Sequence, residues 1–438
     1  MDIKKIEARN PVKNLIWISC LFFVLTSSGL LATAANAPVN TEDTQESNIQ
    51  KASPEQANRG IRSVDKITIQ KLTNGHFEFL VNNKPFIIKG ACYNPVPIGQ
   101  GYDYDLSQDK HRPWQTDAPL MFEAGVNVIR LYHPGKDIAN IKKMISYFYR
   151  KYGIRTILGH WLGFWEGHCS SYGDKDFRQR IKSDCLEMVR TFKDEPGILM
   201  WVLGNENNYS FGPQNLNPWT TPQLEEICDP YLKRKQQAEI YYAFVNDIAR
   251  EIKKIDKIHP IALGNGGLGG LDTAALICKD VDLLGISNYA GKSFGSLFRQ
   301  VNITWARPFF FTEFGCDSFD AKQNIPSEAT QALFIRSQWK EIEKNLFDRH
   351  DGLGNCLGAC LFEWTDEWWK YGPGSWTIQD TEASWSNGGY FFDIAAPKNL
   401  NMNEEWWGII KLSPGDTAGL DKRTPKEAYY ILEELWLK

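Results

Sequence analysis

"ILMWVLGNENNY", residues 198–209, is an apolar run of strand length that closes on a carboxylate. Ile198 to Leu203 read as a strand buried on both faces. An unpaired charge at the end of such a strand is costly away from water. Glu206 therefore marks a strand that opens on solvent, or a carboxylate with a partner and a task. "RPFFFTEFGCD", residues 307–317, poses the same problem, because Phe309-Phe310-Phe311 runs into Thr312-Glu313. One arrangement answers both: parallel strands whose C-terminal ends share a face.

The chain around these stretches alternates in the way that arrangement needs. Short apolar runs stand at 86–92, 126–132, 155–162, 198–204, 259–264, 281–289, 308–314 and 356–363. Helical stretches lie between them. "DIANIKKMISYFYRKYG" carries apolar residues at 138, 141, 145 and 148, the spacing of one helix face. "DFRQRIKSDCLEMVRTFKD" and "EIYYAFVNDIAREIKKID" behave likewise, and "PSEATQALFIRSQWKEIEKNLF" opens on a helix start at Pro326-Ser327. Strand and crossover repeated eight times predict an α/β fold, a closed (β/α)8 TIM barrel, with an open doubly wound sheet as the alternative. The surplus length falls in two loops, 205–230 and 364–410, after strands 4 and 8. Both would decorate the face where barrels carry their chemistry.

Ahead of the barrel, "KITIQKL", "HFEFLV" and "KPFIIKG" are short β runs, and Asn74-Gly75 is a hairpin signal. Residues 38–63 are polar and aperiodic and read as a disordered linker. Residues 1–37 read as a signal peptide: Lys4, Lys5, Arg9 and Lys13 precede the apolar "LIWISCLFFVL", and "AANA" offers a cleavage point after Ala37. The expected location is periplasmic or secreted. An uncleaved anchor is the rival, and it would be the one route to a membrane. The expected division is thus 1–37, 38–63 and a barrel over 64–438.

The chain has 438 residues, is 42% hydrophobic and carries a net charge of −4. No basic block follows the first 15 residues, so a nucleic-acid partner is not expected. Its 16 Trp fit either a Trp-rich core or a stacking surface for a ligand. Eight of the nine cysteines lie beyond Ala37. Cys92, Cys316, Cys356 and Cys360 sit in apolar runs and read as buried thiols; Cys169, Cys185 and Cys228 read as bridge candidates. There is no CxxC pair and no HExxH, so neither metal nor cofactor is expected.

Three fingerprints mislead. "GNGGLG", 264–269, follows a strand, but Ser287 and Asn288 stand where a dinucleotide site needs an acid at the next strand end. "GKSFG", 291–295, would make Ser293 a nucleophile, but the only His downstream is His350 in polar "DRHDG". "GISNYAGKS" is one residue too long for a phosphate loop.

Glu206 after strand 4 and Glu313 in strand 7 would face each other across one barrel mouth. Two such carboxyls are what glycosidic bond cleavage requires, one protonated to release the leaving oxygen and one ionised to attack. Their mutual repulsion separates those states. Asn205-Glu206 and "TEFG" resemble the pattern of clan A of the glycoside hydrolases, retaining β-glycosidases on (β/α)8 barrels. The likeness runs from about Phe86 to the C-terminus and is nearest to the family 2 barrel domain, whose end "EEWWGIIKL…RTPKEAYYIL" also resembles. "KPFIIKGACYNP" is similar to the first strand of family 72 glucanosyltransferases. The sandwich domains that usually precede a family 2 barrel are absent from this sequence, and Asn207 stands where Pro often follows the acid/base Glu.

The resemblance implies Glu206 as acid/base and Glu313 as nucleophile. It implies Asn205 on the sugar 2-hydroxyl, Arg130 paired with Glu313, and Tyr289 donating to Glu313. Trp364 would form the stacking floor and His160 would line the site. The implied partner is a β-linked oligo- or polysaccharide, cleaved or transferred. A carbohydrate-binding protein with a degenerate barrel site is the alternative.

Overall fold

The computed structural model describes residues 63–165, 171–320, 323–370, 375–381, 402–417 and 419–438. The signal segment, nearly all of the linker, Cys169 and Trp385 lie outside the described residues. Eight parallel strands form a closed barrel. They are β1 (Ile88–Cys92), β2 (Val128–Leu131), β3 (Arg155–His160), β4 (Ile198–Leu203), β5 (Ile261–Gly266), β6 (Leu283–Ser287), β7 (Phe309–Phe314) and β8 (Cys356–Leu361). They bond in chain order, and β8 closes on β1 through pairs such as Cys360 with Gly90. Each lies within one of the eight apolar runs or two residues beyond its end, and the fold is a (β/α)8 TIM barrel.

Strand alternation sorts the side chains into two cores. Cys92, Val128, Ile157, Val202, Ala262 and Phe310 meet inside the barrel. Their neighbours Ala91, Ile129, Leu158, Leu203, Ile261 and Phe311 face the helices. The β7 pairing slips between Phe311 and Glu313, which brings Glu313 opposite Ser287 at the rim.

The hairpin at Asn74-Gly75 is present, with Ile67–Lys71 antiparallel to Phe77–Val81. Gly75 has φ +89, a conformation glycine adopts without steric cost. Phe79 and Val81 join the barrel interior, so the hairpin stoppers one end of the barrel and leaves the other for chemistry.

The four helical stretches appear as Ile138–Tyr147, Lys175–Phe192, Pro230–Ile255 and Glu328–Lys344. Asp174 and Asp229 cap two of them by accepting from backbone N–H groups of the first turn. Trp114–Glu123, Leu271–Ile277, Leu297–Thr304 and Glu427–Trp436 are further helices. These are short, and the first contains Pro119, so periodicity alone does not announce them. After β8 the chain returns as a strand from Ile410, whose N–H donates to the Trp364 carbonyl at 2.9 Å.

Cys185 corrects one expectation. It is a fully buried free thiol on the inner face of its helix, and Cys228 is an exposed free thiol. Cys92, Cys356 and Cys360 are buried free thiols, and Cys316 is buried. Among the described residues no helix is long and apolar enough to cross a membrane.

Candidate active site

The rim at the C-terminal ends of the strands gathers one polar cluster. Arg130 occupies an inward position of β2 and is 1% exposed. Its Nη1 donates to Glu313 Oε1 at 2.7 Å and to the Thr312 carbonyl at 3.1 Å; its Nη2 donates to Asn205 Oδ1 at 2.7 Å. A guanidinium only donates, so the Asn205 amide must turn its oxygen to Arg130. That leaves Nδ2 as the group able to meet a ligand.

Glu313 accepts two further hydrogen bonds, from Tyr132 at 2.8 Å and from Tyr289 at 2.5 Å. Burial by itself pushes its carboxyl up. The Arg130 charge and the hydrogen bonds from Tyr289, Arg130 and Tyr132 outweigh burial and hold it below the ordinary carboxylate range. Both phenols are driven well above their usual pKa, first by burial, and remain donors.

Glu206 has the opposite character. It is half-buried at the head of the loop after β4, in a left-handed conformation with φ +58. Burial raises its carboxyl well above the ordinary range and the Glu313 charge raises it further; a hydrogen bond from Tyr209 and the Arg130 charge offset only part of this. Environment alone pushes the two carboxyls in opposite directions.

The loop carrying Glu206 is pinned from several sides. Asn207 accepts from the Asn205 N–H at 2.7 Å and donates to Tyr172 and to the Trp161 carbonyl. Asn208 clamps Gly266 of β5 in both directions, at 2.7 and 2.8 Å. A Cβ on Gly266 would fall 2.3 Å from the Tyr209 ring. The bare glycine is what lets Tyr209 lie across β5 and reach Glu206. This steric need accounts for a glycine in "GNGGLG". Ser293 of "GKSFG" takes an N–H bond from Gly295 in an exposed turn.

Glu206, Glu313, Asn205, Arg130 and Tyr289 are brought together. Trp364 and His160 are not. Trp364 is 0% exposed and packs against Tyr429, 6.3 Å between ring centroids. It has no face to offer a sugar. Cys360 points into the barrel, and two residues on Phe362 takes the rim instead. Phe362 is half-buried beside Tyr289 and Trp407.

His160 fails by strand parity. Ile157 points inward, so Leu158 and His160 point toward the helices. His160 lines an outer groove of about 430 Å³ with His133, Trp161, Asp184 and Met188. Burial, with the neighbouring His133, pushes its pKa down to about 4. Its Nδ1 accepts from the Leu162 N–H at 3.0 Å.

Tyr132 and Tyr209 are site residues that sequence reading passes over. Tyr132 was accessible, since it stands two residues beyond Arg130 on the same face. Tyr209 was not, because its reach depends on the β5 glycine.

No protein-family model matches the sequence, and no curated protein matches it. Solved structures do resemble it. A family 2 β-galacturonidase from Eisenbergiella tayi, bound to galacturonate, aligns over 85% of this chain at 16% identity and TM-score 0.52. A β-D-glucuronidase for Dictyoglomus thermophilum aligns over 85% at 16% identity and TM-score 0.53. A β-glucuronidase of Bacteroides uniformis aligns over 82% at 18% identity and TM-score 0.54. The chain spans 54%, 54% and 36% of their respective lengths, about half or less. The likeness to family 2 barrels thus holds at the level of fold, while the likeness of the first strand to family 72 finds no support in these structures.

Proposed function

We propose that the chain is a glycoside hydrolase that cleaves or transfers β-glycosidic bonds by double displacement. The observation that carries this is the pair of carboxyls at one barrel mouth, one bound by Arg130 and two phenols and the other half-buried without such a cation, which pushes their proton affinities in opposite directions. Glu206 as the acid donates its proton to the leaving oxygen while Glu313 attacks the anomeric carbon. The C–O bond to the leaving group breaks as the Glu313–sugar ester bond forms. Asn205 Nδ2 meets the 2-hydroxyl, a contact that strengthens in the transition state. Glu206, now a carboxylate, takes a proton from water or from an acceptor hydroxyl, which attacks the same carbon and frees Glu313.

Azide with the two alanine variants tests the assignment on an activated aryl β-glycoside. Glu313→Ala should be inert and regain turnover with azide as an α-glycosyl azide. Glu206→Ala should keep its first step, and azide should then yield a β-glycosyl azide. Loss of activity in both variants, with no rescue of either, would exclude the division of roles.

Transfer is favoured by an aromatic wall on the β8 side. Trp369 meets Tyr102 edge-on at 4.8 Å, and Trp376 is 44% exposed, with its ring against Gly101. Such faces can hold an acceptor sugar and raise its effective concentration over water. Phe211 and Trp219, in the loop after β4, are core residues instead. Products longer than an oligosaccharide substrate should appear early in the reaction. Shorter products alone, at high substrate concentration, would leave a simple hydrolase.

A further inference from the structure

The wall beyond β8 is built from carboxylates. Glu363, Asp366, Glu367, Glu404 and Glu405 are all at most 6% exposed. Glu363 directly follows Phe362 at the mouth. Its field reaches Cys92, the inward residue that touches Arg130 beneath Glu313. The charge of Glu404 acts on Glu206. The wall therefore lies at the mouth, within electrostatic reach of Glu206.

The cations that touch it are already engaged. Arg130 serves Glu313 and Asn205. Lys370 Nζ contacts Glu404 Oε2 and lies 3.4 Å from Glu367 Oε2. Lys426 Nζ lies 2.6 Å from Asp366 Oδ1. Glu363 Oε1 is buried without a hydrogen-bond partner. Burial and crowding push the Glu367 carboxyl to about 7, Lys370 offsetting part of it, and burial pushes Glu405 to about 8. The wall already holds more acidic groups than it can keep ionised near neutrality.

We propose that this mouth takes a glycone carrying no acidic group and turns away β-uronosides. The inference rests on the glycosidase reading above. A uronoside would bring one more carboxylate to a wall whose described cations each face a carboxylate already. Sugar hydroxyls, by contrast, bring no like charge to overcome. The acidic substrates named for the structural neighbours are thus not inherited with the barrel.

The test is kcat/KM of the full chain at pH 7 on aryl β-glucoside, β-galactoside, β-mannoside, β-glucosaminide, β-glucuronide and β-galacturonide. One like charge about 7 Å away at an effective dielectric near 20 disfavours binding by a factor of about 50. The best non-acidic glycoside should therefore exceed either uronide by tenfold or more. A uronide within tenfold of it, or ahead of it, overturns this inference and leaves the glycosidase reading standing. No turnover of any of the six overturns the glycosidase reading, and this inference with it. Glu404→Gln removes one charge from the wall, so the uronide-to-hexoside ratio should rise about tenfold. An unchanged ratio in that variant would refute the carboxylate wall as the source of selection.

Discussion

Tyr289→Phe separates the two carboxyls experimentally. The phenol donates to Glu313 Oε2 at 2.5 Å and touches neither Arg130 nor Asn205 by hydrogen bond. Its ring is edge-on to Trp407 at 4.5 Å and to Phe362 at 6.0 Å, contacts that Phe preserves. The variant thus removes one hydrogen bond to a charged group and little else. Such bonds contribute about 1.5–3 kcal/mol, and 1.36 kcal/mol is one pKa unit. The ionised form of Glu313 loses this support, so its pKa rises by about 1–2 units. If Glu313 must be ionised to attack, the acid limb of kcat/KM moves up by that amount. The alkaline limb follows Glu206. It should stay in place, because Glu313 remains ionised at high pH and still repels the second proton loss. Stopped assays on an aryl glycoside across the pH range read both limbs. An unmoved acid limb, or a shift confined to the alkaline limb, would refute the assignment of Glu313 as the ionised partner.

Glu206→Gln should abolish turnover of unactivated substrates and yet stabilise the fold. The Glu206 pKa is raised on folding, so as pH climbs past its unfolded value the unfolded chain loses the proton first and stability falls. Gln carries no such penalty: its melting temperature should exceed wild type at pH 8 and match it at pH 4, and equal differences at both would contradict the raised pKa. Gly266→Ala should displace Tyr209, whose ring lies 2.3 Å from the added Cβ, and the lost hydrogen bond should move the alkaline limb upward, since that bond lowers the Glu206 pKa. Tyr209→Phe should move the limb equally without the backbone clash; an unmoved limb in both variants would separate Tyr209 from the acid.

The barrel was legible because each strand is an apolar run between polar segments, and because eight repeats admit few topologies. Glu206 and Glu313 stood out as charges where apolar runs end. Arg130 came from the family resemblance. His160 and Trp364 did not reach the mouth; parity within β3 could have excluded His160, whereas Trp364 shares the parity of Cys360 but stands beyond the end of β8 at Leu361, where the alternation no longer holds. Ile157 faces in, so His160 faces out; Cys360 faces in, so Phe362 takes the rim. Aromatic abundance near a strand end is a weaker guide than the period of two. The β8 wall was beyond reach for another reason. Lys370 and Glu404 lie 34 positions apart, and nothing local in either stretch announces their pairing.

Two motifs that look unrelated in the sequence form one device. "GNENNY", 204–209, supplies the acid and the polar side chains that hold its loop. "GNGGLG", 264–269, supplies the surface they hold to. Asn208 bonds both the N–H and the carbonyl of Gly266. Gly264 is required in turn, because a Cβ there would meet the Gly204 carbonyl oxygen at 2.3 Å. The left-handed backbone of Glu206 is strained for a residue with a Cβ, by about 1–3 kcal/mol. Such strain persists only where neighbours over-determine the conformation, and the hydrogen bonds of Asn207 and Asn208 do so here. The glycines of the second motif carry no ligand chemistry of their own. Their part is to let the loop after β4 lie close enough for Tyr209 to meet Glu206, so a stretch that resembles a dinucleotide loop instead sets the proton affinity of the acid.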